Sequence, residues 1–224
     1  MSVTLLNERC VFPDPSQADE DGLVAVGGDL SVERLLAAYS GGIFPWFIEE
    51  GLIFWFSPDP RMVLFPDKLK ISGSLQRRMK KGGYEVTIDQ TFAKVITNCS
   101  RVSRPSEKGT WISREFIESY TALHKAGFAH SVEVIQDKQL TGGLYGVSIG
   151  KAFFGESMFH LQPDSSKIAL VHLVEKVRAL GFLFIDCQVE TRLFYDLGAE
   201  LISRQKYLEL LKKAILNKKY FSFF

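Results

Sequence analysis

The sequence predicts an α+β protein: a small N-terminal α/β lobe over residues 1–60, then a larger domain over 61–224 with a mixed β-sheet flanked by helices. Three observations lead there. The 224 residues are 46% hydrophobic, enough to bury a substantial core. After Pro60 the texture changes from irregular aromatic segments to alternating elements. From that point, stretches with apolar residues three and four apart interleave with short runs that alternate or are wholly apolar.

Residues 12–60 are rich in aromatics, Pro and Gly, as in FPDP, GLVAVGGDL, GGIFPWF and FWFSPDPR. One helix is expected there, Ser31 to Tyr39, with Ser31 as N-cap and Leu35, Leu36 and Tyr39 as its apolar stripe. The rest of that stretch reads as packed loops with buried aromatics. Met62 to Phe65 reads as a strand, and Ser72 to Lys81 as a helix with Leu75 and Met79 on one face. Glu85 to Ile88 is a strand, and Thr91 to Asn98 a helix packing Phe92, Val95 and Ile96. Ser113 to Ala126 is a helix stopped at Gly127. His130 to Gln136 alternates as a strand, DKQL turns, and GGLYGVSIG leads to a second strand over Lys151 to Met158. An apolar helix, Ser165 to Leu180, ends at Gly181 and precedes a buried strand, Phe182 to Val189. A short helix at Phe194 to Leu197 and a last one over Arg204 to Leu216 complete the chain. The tail KKYFSFF is basic and aromatic, and the sequence assigns it no role.

Composition excludes several function classes. The formal net charge is +1, so no global field holds nucleic acid and any RNA contact must come from a local patch. Cys10, Cys99 and Cys187 are odd in number and lack CxxC spacing, which argues against a disulfide framework or zinc ribbon and for a reducing compartment. The opening residues MSVTLLNERC lack a basic n-region and a long apolar run, and the stretch Leu180 to Ile185 is too short to span a bilayer. A cytoplasmic protein without membrane contact is expected. GxxxxGK[ST], HExxH and GxSxG are absent, and His124, His130, His160 and His172 form no metal-ligand spacing. No metal, nucleotide or other cofactor is expected.

Polar residues in apolar strands mark the candidate chemistry. In FLFIDCQV, Asp186 and Gln188 interrupt a run of Phe, Leu, Ile and Val, and their i, i+2 spacing puts them on one strand face. A buried carboxylate is costly unless paired or functional. It also fits an Asp capping a strand end. In FFGESMF, Glu156 stands between apolar neighbours, and Phe154, Glu156 and Met158 share a face if the strand runs straight. A structural ion pair is the other account of that acid. Between Lys68 and Lys81 lie six Lys or Arg: Lys68, Lys70, Arg77, Arg78, Lys80 and Lys81. Arg77, Lys80 and Lys81 share one helix face, suited to successive phosphates or simply to solvent.

Read together and in order, GLVAVGGDLSVERLLAAYSGGIFPWF, FSPDPR, GTWIS, YGVSIGKAFFGESMF, SSKIAL and IDCQV resemble the leucyl/phenylalanyl-tRNA–protein transferases of bacteria. The resemblance runs from about Phe12 to Leu216. It implies an acetyltransferase-like (GNAT) larger domain and transfer of Leu, Phe and sometimes Met from aminoacyl-tRNA. The implied acceptors are proteins with N-terminal Arg or Lys, which are thereby marked for degradation. A monomer is expected.

Carried over motif by motif, the resemblance implies catalytic roles for Asp186, Gln188 and Glu156, with Glu156 holding the α-amino group of the aminoacyl moiety. It implies Trp46 and Trp111 at the 3′-terminal adenosine. It implies an aminoacyl pocket of Leu144, Phe153, Met158, Leu170, Leu173 and Ile185, although strict alternation turns Phe153 and Ile185 away from Glu156 and Asp186. The tRNA backbone falls to Arg77, Arg78, Lys80 and Lys81. This chain departs from the family pattern at Gly73 and Gln76, commonly basic, at Leu193, commonly His, and at Ser203, commonly Pro.

The ester is already activated, so catalysis reduces to positioning and proton handling. Asp186 either polarises Gln188, whose carbonyl then accepts from the attacking amine, or meets the amine itself, and the tRNA 2′-hydroxyl is a further proton shuttle. Two other functions fit a fold of this kind. One is acyl-CoA N-acyltransfer, for which Gln139 to Leu144 is a near miss to the pyrophosphate loop Q/R-x-x-G-x-G/A, with Leu144 where Gly or Ala belongs. The other is non-catalytic tRNA binding, against which the intact Glu156, Asp186 and Gln188 argue.

Overall fold

The computed structural model describes residues 3–102 and 112–216. The N-terminal segment holds β1 (Thr4–Leu6), β2 (Leu23–Gly27), α1 (Val32–Ser40), β3 (Phe44–Glu49) and β4 (Leu52–Phe56). Its four strands form one sheet in the order β1-β2-β4-β3, with β1 parallel to β2. Helix α1 begins where the Ser31 hydroxyl accepts from the Arg34 N–H, as the sequence predicts, and buries Leu35 and Tyr39. The sheet itself corrects the expectation of packed loops. Its strands carry aromatics on both faces instead of alternating, and β3 contains Pro45, which usually argues against a strand. Pro45 is tolerated because β3 is the sheet edge and its register shifts between Pro45 and Phe47. Arg34, fully buried, ties the lobe together: it pairs with Asp29 at 3.1 Å and donates to the carbonyls of Asn7 and Arg9.

The remaining elements are β5 (Arg61–Leu64), α2 (Gly73–Lys81), β6 (Glu85–Ile88), α3 (Phe92–Cys99), α4 (Arg114–Lys125), β7 (Ala129–Gln136), β8 (Gln139–Ile149), β9 (Ala152–His160), α5 (Ser165–Ala179), β10 (Phe184–Gln188), α6 (Arg192–Asp196), β11 (Glu200–Ile202) and α7 (Arg204–Leu216). Seven strands form a sheet in the order β11-β5-β10-β9-β8-β7-β6. The β10–β9 pair is parallel and the others are antiparallel, so the sheet is mixed and flanked by helices as expected. The edge strand β11 leaves no mark in the sequence because three residues are too short for a period. Helices α3, α4 and α7 and the N-terminal lobe cover one face, around Val95, Phe116, Phe154 and Tyr207. Helices α2, α5 and α6 cover the other, around Leu75, Leu144, Phe153, Leu170 and Ile185. α5 lies across β7, β8 and β9 and is apolar on nearly every side, which suits a helix pressed into a sheet.

Two irregularities set up the site. The β8–β9 register shifts between Tyr145 and Gly146, opposite Gly155 to Ser157. Phe154 therefore packs on one face of the sheet and Met158 on the other, and the two do not share a face as straight alternation predicts. The parallel β10–β9 pairing stops at Asp186 opposite Phe154. Beyond it the strands part, and the gap between them opens to the surface.

Candidate active site

A cavity of about 510 Å³ occupies the gap between β9 and β10. Leu144, Met158, Leu170, Leu173 and Ile185 form its apolar wall. Phe44, Pro45 and Trp46 of the N-terminal lobe close one side, and Leu193 and Phe194 of α6 the other. Phe153 lies in the apolar cluster behind that wall, fully buried, and does not line the cavity. Ile185 points away from Asp186, as alternation requires, and still reaches the cavity because the wall is on its side of the sheet. Trp111 lies outside the described residues, as does the tail from 217 to 224.

Asp186 is completely buried. Its Oδ1 accepts from Arg61 Nε at 2.9 Å and from the backbone N–H of Gln188 at 2.8 Å. Its Oδ2 accepts from Arg61 Nη2 at 2.7 Å and from the Tyr207 hydroxyl at 2.7 Å. The carboxylate is thus fully subscribed, and the Arg61 guanidinium is held between the rings of Phe44 and Tyr207, at 4.7 and 4.6 Å. Desolvation works against the Arg61 charge, but the charges and hydrogen bonds of Asp186 and Tyr207 together outweigh it and raise the guanidinium pKa. Burial, with the Asp186 charge behind it, keeps Tyr207 a neutral phenol and so a donor.

What Asp186 holds is Gln188. The register shifts between these two residues, and Gln188 adopts φ +63, a conformation costly for a side chain without a Gly's freedom. The bond from its N–H to Asp186 fixes that turn. Gln188 and Asp186 thus come together through a bulge and not through i, i+2 alternation, and Cys187 between them packs into the opposite cluster. The Gln188 Nε2 donates to Glu156 Oε1 at 2.9 Å, which leaves the side-chain carbonyl available to accept.

Glu156 is the other buried acid. Its Oε1 also accepts from the Tyr39 hydroxyl at 2.7 Å, and its Oε2 from Tyr120 at 3.1 Å. The two tyrosine hydroxyls are themselves hydrogen-bonded. Burial lifts the Glu156 pKa to about 8, further raised by Asp186 and opposed by the donors from Tyr39, Tyr120 and Gln188. Both tyrosines are pushed up by burial and by the Glu156 charge, so they stay protonated; their two hydrogens serve two of the three contacts, and a proton on Glu156 serves the third. Tyr39 comes from α1 and Tyr120 from α4, so the acid is gripped by the lobe and by the larger sheet's own helices together.

Arg61, Tyr39, Tyr120 and Tyr207 are site residues that the sequence does not mark. Tyr39 reads as part of the α1 stripe. A signal for Arg61 exists: a cation heading the wholly buried strand RMVL demands a buried anion, and the sequence offers Asp186.

Arg77, Lys80 and Lys81 project from α2 as exposed side chains. Arg78 behaves differently: its guanidinium donates to the Gly82 carbonyl at 2.9 Å and lies 5.6 Å from the Tyr84 ring. The segment leading into α2 is tied to the cavity rim, because the Lys70 N–H donates to the Leu197 carbonyl just after α6. Gln139 to Leu144, the near miss to a pyrophosphate loop, is part of β8 and paired to β7 and β9. A Cβ on Gly142 would come within 2.6 Å of Ser165 Cβ, so these glycines serve close strand–helix packing and leave no phosphate cradle. Among the described residues, no group of three or more His, Cys, Asp or Glu is placed to hold a metal ion, and no helix is long and apolar enough to cross a membrane.

The sequence families matched by the chain divide where its two sheets meet. Residues 28–59 match the leucyl/phenylalanyl-tRNA protein transferase N-terminal domain, and residues 63–212 match the leucyl/phenylalanyl-tRNA protein transferase family proper. The chain belongs to this family. It is 56% identical over 217 residues to the leucyl/phenylalanyl-tRNA–protein transferase of Myxococcus xanthus (strain DK1622), covering 96% of this chain and 93% of that one. It is 51% identical over 216 residues to the enzyme of that name from Maridesulfovibrio salexigens, covering 96% and 90%. Family membership makes the chain an aminoacyl-tRNA-using protein transferase. Among solved structures, the C-terminal domain of a putative lysylphosphatidylglycerol synthetase from Agrobacterium fabrum aligns with TM-score 0.42 at 11% identity, over 84% of this chain and 64% of that one. A GCN5-related N-acetyltransferase from Kribbella flavida aligns with TM-score 0.38 at 10% identity, over 75% and 60%. At those scores the likeness carries no argument about chemistry.

Proposed function

We propose that this transferase moves Leu or Phe, with Met as a third donor, from aminoacyl-tRNA onto proteins whose N-terminus is Arg or Lys, marking them for degradation in the cytoplasm. We also take it to act as a monomer. The observation that carries the proposal is the cavity, whose apolar wall of Leu144, Met158, Leu170, Leu173 and Ile185 adjoins the Glu156–Gln188 pair. An apolar side chain in that wall gains roughly 0.8 kcal/mol per buried methylene, whereas a charged one loses far more by desolvation. Trp46 beside the wall offers a flat face to the terminal adenosine, and the exposed cations Arg77, Lys80 and Lys81 of α2, which follows the Lys70–Leu197 tie, are assigned to the tRNA backbone. Trp111 belongs to the same proposal on sequence grounds alone.

In this mechanism Glu156 receives the α-amino group of the aminoacyl ester. The acceptor's amine, whose free pKa is near 8, attacks the ester carbonyl as the neutral form. The Gln188 carbonyl accepts a hydrogen bond from that amine and aims its lone pair. Asp186 meets neither substrate: with every lone pair committed to Arg61, Tyr207 and the Gln188 N–H, it works by holding Gln188. The bond formed is the amide, and the ribose 3′-oxygen leaves with a proton.

The test is transfer of Phe and Leu from charged tRNA to an Arg-terminated peptide, with Asp- and Lys-charged tRNAs as controls. Equal rates from all four donors, or none from any, would remove the proposal.

A further inference from the structure

The acceptor's first residue brings a cation as well as an amine, and the cavity meets it with carboxylates alone. Its lining includes Glu156, Asp186 and Glu190, and no Lys, Arg or His among the described residues. Two of these acids are not available to a second substrate. Asp186 is buried under the Arg61 guanidinium, and Glu156 already takes three donors in the interior. Glu190 is different: it is exposed at the mouth, and among the described residues no Lys or Arg pairs with it.

Glu190 is also held in place. The Tyr195 hydroxyl donates to its Oε2 at 3.1 Å, which leaves Oε1 to accept from a ligand. Thr191, the next residue, caps α6 by accepting from the Phe194 N–H at 3.3 Å, so the carboxylate stands on an anchored turn. From Gln188 to Glu190 the chain spans at most about 7 Å. An acceptor amine placed at the Gln188 carbonyl therefore has its own side-chain cation, at the end of an Arg or Lys side chain, within reach of Glu190.

We propose that Glu190 is the specificity-determining residue for the acceptor, pairing its Oε1 with the guanidinium or ammonium of the acceptor's N-terminal residue. The inference rests on the proposed function above and extends it to the second substrate. An acid at this mouth admits a cationic first residue and repels an acidic one, while the apolar wall deeper in sorts the donor.

The experiment compares two peptides that differ only in their first residue, Arg or the uncharged isostere citrulline, with saturating Phe-tRNA. Wild type should favour Arg in kcat/KM by up to about fivefold, the range of an exposed ion pair. Glu190→Gln should lose most of that preference through a raised KM for the Arg peptide, and an unaltered melting temperature shows that the variant folds. Tyr195→Phe should lose part of it. A Glu190→Gln enzyme that keeps the full Arg preference, or that slows both peptides equally, overturns the inference while leaving the proposed function standing. A wild-type enzyme that transfers to neither peptide overturns both.

Discussion

Arg61 and Asp186 form a two-pronged ion pair at 2.9 and 2.7 Å with both side chains out of water, 125 residues apart in sequence. Removing one partner of such a pair strands the other as a buried charge, typically at a cost of about 3–5 kcal/mol, whereas replacing both by apolar groups is often neutral. We predict that Asp186→Ala abolishes transfer and also lowers the melting temperature substantially. The Arg61→Met/Asp186→Leu double variant should recover the melting temperature and remain inactive, because nothing then fixes the turn at Gln188. A double variant that regains both stability and transfer would make the pair a packing device only. Thermal melts and a transfer assay on the three proteins decide it.

Glu156 titrates near 8 in the folded protein against an ordinary value of 4.5, chiefly because it is buried. A folded pKa above the unfolded one gives a stability contribution fully present below about pH 4.5 and lost as the pH rises through 8. Wild type should therefore lose stability relative to Glu156→Gln between about pH 5 and 9. The size is ~1.4 kcal/mol for each tenfold gain in proton affinity on folding. Urea unfolding of both proteins across that range gives the difference directly. Profiles that stay parallel would show that the folded protein holds Glu156 ionised.

Met158 of β9 lines the cavity wall together with Leu170 and Leu173 of α5. Met158→Ala removes several heavy atoms of that wall and should admit bulkier donors, with a relative gain for Trp-charged over Leu-charged tRNA. Discrimination of this kind is worth about 1–3 kcal/mol per group, so a change of about tenfold is expected. Competition assays with mixed charged tRNAs measure it, and an unaltered ratio takes Met158 off the donor's path.

On α2 the three exposed cations Arg77, Lys80 and Lys81 are separable from Arg78, which is engaged with Gly82 and Tyr84. Replacing the three by Ala should weaken tRNA binding and flatten its salt dependence, by about 0.7–0.9 in log–log slope for each phosphate that is no longer neutralised. Transfer from a short aminoacyl-adenosine analogue should hardly change, since it never reaches the helix. Full affinity with an unchanged slope would leave α2 a solvated surface.

How far the sequence reaches follows from what periodicity encodes. Helices such as α1 and α4 are written in apolar residues three and four apart, with Ser31 and Ser113 at their starts, and they appear where expected. The sequence indicates a small N-terminal α/β lobe but does not place the strands of its sheet, because their aromatics occupy both faces and Pro45 breaks the strand signature. Asp186, Gln188 and Glu156 stand out as polar residues among apolar neighbours, which local sequence shows. Their mutual geometry does not, because it depends on two register shifts that straight alternation excludes. Nor can any local window show that Tyr39, Tyr120 and Tyr207 converge on these acids from three separate helices.

The bond from Tyr39 to Glu156 closes a loop of 117 residues, and that from Arg61 to Tyr207 one of 146. Pairings so far apart along the chain are slow to find and come late in folding. During synthesis, the grip on Asp186 cannot close until α7 has left the ribosome. A chain that stops short of α7 carries Glu156, Asp186 and Gln188 without the Tyr207 donor that completes the hold on Asp186. Activity of the transferase thus waits for α7 to fold against the sheet.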